Sequence, residues 1–156
     1  MVNLLDAGAN TDTIFRGFVQ LVPAQPDIFT TTNDAGGRAV VFNITNPSAR
    51  TTEPFSVTST DASGATVATV LELSVTGVRN VIPGEVTVTI GTTAITGSAI
   101  LSVKPNPEMP GFEVITFTLP ASLAGAGDVP IVVTILKNNV TTTSRPAATA
   151  PHVTIN

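Results

Sequence analysis

Cysteine, tyrosine and tryptophan are absent from these 156 residues, and each absence removes a class of device. Without Cys there is neither a disulfide framework nor a thiolate metal site, so the chain must hold itself together with a hydrophobic core. At this length folding buries roughly 70% of the unfolded surface, and such a core is attainable. Seven Phe are the only aromatics, which takes away the amphipathic stacking platforms common in sugar sites and protein interfaces. Charge is also scarce: 12% of residues are Asp, Glu, Lys or Arg, against about a quarter in ordinary soluble domains. The seven basic side chains are scattered singly and the net charge is −4, which argues against a phosphate-tracking patch and hence against a nucleic-acid partner. No apolar run approaches the length of a membrane span. The opening MVNLLDAGAN lacks the basic start and long apolar middle of a secretory signal, so an exported form would have lost its leader.

What remains is Thr, Val, Ala, Gly and Pro in a period-two pattern. In EVTVTIG, Val86, Val88 and Ile90 face one way and Thr87 and Thr89 the other. FEVITFTL repeats the pattern with Ile115, Phe117 and Leu119, and TVLELSV with Leu71, Leu73 and Val75. Such alternation reads as half-buried strands, and branched Cβ atoms favour a pleated surface over a helix. VPIVVTIL, residues 129–136, is apolar on both faces and is expected at the centre of a sheet with cover on each side. RAVVFNI, PFSVT, AILSV and HVTIN supply further strand candidates. Turns are marked at residues 33–37, 61–64, 76–80, 82–85 and 104–111, the last stiffened by Pro105, Pro107 and Pro110. The only helical candidates are VNLLDAGA at the start and ASLAGA at 121–126, the latter short enough for a single turn. The expected fold is all-β, an immunoglobulin-like antiparallel β-sandwich with little helix over residues 23–156, preceded by an extension or strand at 1–22.

The segments LVPAQPDIFTT, TTEPFSV, VLELSVTGVRN, VTVTIG and, most specifically, LPASLAGAGDVPIVVTI (119–135) occur in that order. Together they resemble the carboxy-terminal extracellular domain of uncharacterised secreted proteins of Solibacter and other Acidobacteria, over roughly residues 21–155. The resemblance implies an immunoglobulin-like module at the end of larger secreted or surface proteins, with no assigned activity. Two parts depart from that pattern: the first twenty or so residues, and NNVTTTSRPAATAP at 138–151, where the family has a short turn into its last strand. Independently of the resemblance, Pro120 is expected to end a strand, the small residues of ASLAGAG to cross the end of the sandwich, and VPIVVTI to enter the second sheet.

Chemistry-bearing patterns are thin. His152 is the only histidine and has no partner for a metal. Asp27, Asn33, Asp34 and Asp61 could converge on calcium but lack a dense Asp-x-Asp spacing, so they read as solvated turn residues. A Ser nucleophile would have one histidine at most to serve it. Glu53, Glu72, Glu85, Glu108 and Glu113 could pair as in a glycosidase, but without aromatic walls around them. No catalytic residue, cofactor or metal ligand is assigned. The stretch TDTIFRGFVQLV (11–22) is strand-like, with Ile14, Phe15, Phe18, Val19 and Leu21. It either pairs within its own domain or adds to the sheet of a neighbouring subunit, and in the second case head-to-tail repetition grows a fibre. The expectation is a non-enzymatic extracellular or cell-surface module, structural or adhesive, self-associating as a filament subunit. The alternative is an accessory module that binds cell-envelope polysaccharide through loops 104–111 and 138–150. Asn43 and Asn139 head sequons whose use the sequence leaves open.

Overall fold

The computed structural model describes residues 22–32, 34, 36–106 and 109–156. Twelve strands follow in chain order: β1 (Asp27–Ile28), β2 (Val41–Asn43), β3 (Thr58–Thr60), β4 (Thr66–Ala68), β5 (Val70–Thr76), β6 (Val86–Ile90), β7 (Thr93–Ile95), β8 (Ile100–Pro105), β9 (Glu113–Thr118), β10 (Gly127–Lys137), β11 (Val140–Thr143) and β12 (His152–Ile155). The helical elements among the described residues are 3-10 turns of three residues, so the all-β expectation holds. No helix there is long and apolar enough to cross a membrane.

Two antiparallel sheets face each other. One runs β1-β5-β9-β8 with β2 also beside β5, and the other runs β11-β10-β6-β7 with β12 also beside β10; β3 and β4 form a separate hairpin. The alternation sets the register. Leu71, Leu73 and Val75 of β5 and Ile115 and Phe117 of β9 point inward, against Val88 and Ile90 of β6 and Ile131, Val133 and Ile135 of β10. Each such side chain contributes about 1.5–3 kcal/mol on burial. Between β9 and β10 the chain changes sheet through Pro120 and the 3-10 turn Ala121–Leu123, whose Leu123 is buried: the corner read from ASLAGAG.

β10 is central, with β6 on one edge and β11 and β12 in succession on the other. Its outer face is less covered than its sequence suggests: Val132 is half-buried and Leu136 is 57% exposed. PFSVT forms no continuous strand. Pro54 has no N–H to donate, and Phe55 makes an isolated bridge to Ile155 while its side chain joins the core. The segment 138–151 contains strand β11, entered through Asn138 and Asn139 at φ +52 and +61, the paired positive values that suit a two-residue hairpin turn.

Candidate functional site

Ile14, Phe15, Phe18, Val19 and Leu21, the expected subunit-contact residues, lie outside the described residues, as do the helical candidate at the start, Asn33 and Glu108. Of the described calcium candidates, Asp27 and Asp34 line one pocket together with Arg145, and Asp61 is not among its lining residues. Asp27 pairs with Arg145 at 2.9 Å, and Asp61 is folded into its own turn, accepting from the Ser63 and Ala65 N–H groups. The described glutamates are each matched to a different cation: Glu53 to Arg38, Glu72 to Arg50, Glu85 to Lys137 and Glu113 to Arg79. Among the described residues no three His, Asp or Glu side chains are placed to hold a metal.

The densest polar cluster fastens the last strand. β12 is paired with β10 on one edge, while on the other the His152 N–H donates to the Gly37 carbonyl and the Phe55 N–H to the Thr154 carbonyl. Over this seam Arg38 donates to both oxygens of Glu53, to Asp128 and to the Thr154 hydroxyl, and Glu53 accepts the Thr154 N–H at 2.8 Å. His152 Nδ1 lies 3.0 Å from Asp128. The Arg38 guanidinium holds the Glu53 carboxyl below the usual carboxylate range, and Arg38 followed by His152 does the same to Asp128. His152 thus takes part in this seam through both its backbone and its ring.

The outer face of the first sheet carries an apolar groove of about 600 Å³. Phe29 and Phe112 stack with centroids 3.8 Å apart and planes 7° from parallel, and Arg50 lies 4.7 Å over the Phe42 ring while bonding Glu72 at 2.5 Å. Val40 and Val114 complete the floor, with Ser74 beside them. The sequence counted Phe as scarce; three of the seven meet on one outer face.

A second cavity, of about 290 Å³, opens at the end of the sandwich. Residues 77–82 close that end. Gly77 has φ +74, and a Cβ there would lie 1.8 Å from the Gln25 carbonyl oxygen, so only glycine fits. Val78 and Val81 plug the core, and Lys137 donates to the Asn80 carbonyl and to Glu85. The cavity's charged floor is Glu113, whose inward position follows from its shared parity with Ile115 and Phe117.

Sheet edges decide what can pair. β8 carries Lys104, Pro105 and a register shift, three features that blunt an edge. β7 and β2 have three residues each, and β2 is partly covered by Thr51 bonding Asn43; β1 has two. β11 is different: Val-Thr-Thr-Thr, uncharged, without proline, in unbroken register with β10 and with no strand on its other side among the described residues. Val140 and Leu136 beside it are exposed. Two buried side-chain atoms among the described residues lack a hydrogen-bond partner: Thr142 Oγ1 on this edge, and Glu113 Oε2 in the end cavity. No family model matches the chain, and no curated protein or solved structure matches it.

Proposed function

We propose that this domain works by association: a non-enzymatic structural or adhesive β-sandwich of an extracellular or cell-surface protein, kin to the carboxy-terminal domains it resembles, whose copies join into a filament by strand addition. The observation that carries this reading is the β11 edge, among the described residues the one free edge without charge, proline or bulge and longer than three residues. An added strand completes its hydrogen bonds, covers Val140, and brings a partner within reach of the Thr142 hydroxyl. The donor is the segment with Ile14, Phe15, Phe18, Val19 and Leu21, whose composition is strand-like. Given by one copy to the next, it makes a contact that does not close. Deleting residues 1–22 should abolish assembly, followed by sedimentation, while circular dichroism retains the β signature. A truncated chain that still polymerises refutes strand donation.

A second reading, polysaccharide or envelope binding, is favoured by the groove with its stacked Phe29 and Phe112 floor and polar rim of Arg50, Glu72 and Ser74. It predicts that a pull-down with intact envelope captures the domain and that Phe112→Ala releases it. No capture by envelope or by a glycan array rejects this reading.

A further inference from the structure

Glu113 is 3% exposed, its Oε2 has no partner, and its Oε1 is 3.6 Å from Arg79 Nε, beyond hydrogen-bond range. Leaving a buried carboxylate oxygen unmatched is costly, so the site calls for a donor. An ammonium group offers three. The rim, however, is positive: Arg79 is 66% exposed and Lys104 stands beside it in no ion pair among the described residues. These cations repel a simple amine and attract an anion, and a guanidinium suits a carboxylate best. A ligand satisfies floor and rim together only by carrying both charges. Because Arg79 Nε and Glu113 Oε1 are 3.6 Å apart, the two charges must be adjacent in the ligand. Val78, Val81, Val103 and Pro105 leave an apolar wall for the rest of it.

We propose that the end cavity binds a small α-zwitterion, a free amino acid with an apolar side chain of valine or leucine size, its ammonium on Glu113 and its carboxylate on Arg79 and Lys104. No residue of β11 lines the cavity, and its test does not depend on assembly.

The test is a titration of the full chain, followed by amide chemical shifts, with L-leucine, 4-methylpentanoate, which lacks the amine, and 3-methylbutylamine, which lacks the carboxylate. Leucine should saturate shifts at residues 78–81 and at Val103 and Lys104, and each analogue should bind at least about tenfold more weakly, the worth of one charged hydrogen bond. Glu113→Gln and the rim variant Arg79→Gln, which leaves the core untouched, should each weaken leucine binding by a similar factor. The proposal is overturned by the absence of saturable shifts, which would leave the cavity to water. It is equally overturned by an analogue that binds as well as leucine, or by unchanged affinity in Arg79→Gln.

Discussion

Replacing Arg38 by Ala removes, in one step, the side chain that ties three distant segments to the last strand. Two of its hydrogen bonds go to Glu53, one to Asp128 and one to Thr154. After the change Glu53, 24% exposed, keeps the Thr154 N–H at 2.8 Å and no cation. Breaking a fully buried pair costs about 3–5 kcal/mol, and an exposed pair contributes about 0.2–1. With side-chain exposures of 34% and 24%, this pair lies between them, and the expected loss is about 2 kcal/mol. Urea unfolding should show a lower midpoint at an unchanged slope. The double variant Arg38→Met, Glu53→Gln should be less destabilised than the two single changes summed, by about 1 kcal/mol. Acid provides a second readout. The folded pKa values of Glu53 and Asp128 lie below their unfolded values, so their contribution is present above about pH 4 and is lost as pH falls through the folded values. Arg38→Ala should therefore flatten the fall in stability below about pH 4. A variant within about 0.5 kcal/mol of the parent, or one with the same acid slope, refutes the reasoning.

Gly77→Ala should destabilise by more than about 2 kcal/mol, since the new Cβ meets the Gln25 carbonyl at φ +74. Gly84→Ala, with open space around it, should stay within about 0.5 kcal/mol in the same thermal melt. Phe117→Ala, fully buried in the middle of β9, should cost about 3–5 kcal/mol by urea unfolding.

The strands were legible where one face is buried, because alternation then records which side chains face in. β5, β6 and β9 follow their sequence pattern residue for residue, and the 3-10 corner at Ala121–Leu123 follows from small residues after Pro120. The pattern also contained a signal that composition alone obscured. Glu113 has the parity of Ile115, which places a carboxylate at the end of the core. Likewise Asn138-Asn139 after a long apolar strand is a hairpin signal, and it announces β11. What carried no local signal was long-range assembly. Arg38 meets Glu53, Asp128 and Thr154 across 15, 90 and 116 positions, and Phe29 finds Phe112 only through the order of the sheets. Such meetings depend on topology, which period-two patterning leaves open.

The absence of cysteine makes the proposed strand donation open to a specific cross-linking test. Phe18→Cys and Thr141→Cys in separate chains, mixed and mildly oxidised, should yield a disulfide-linked heterodimer, and both changes in one chain should yield a ladder of linked copies. Cross-linking confined within single chains, or none at all, would contradict strand addition between copies.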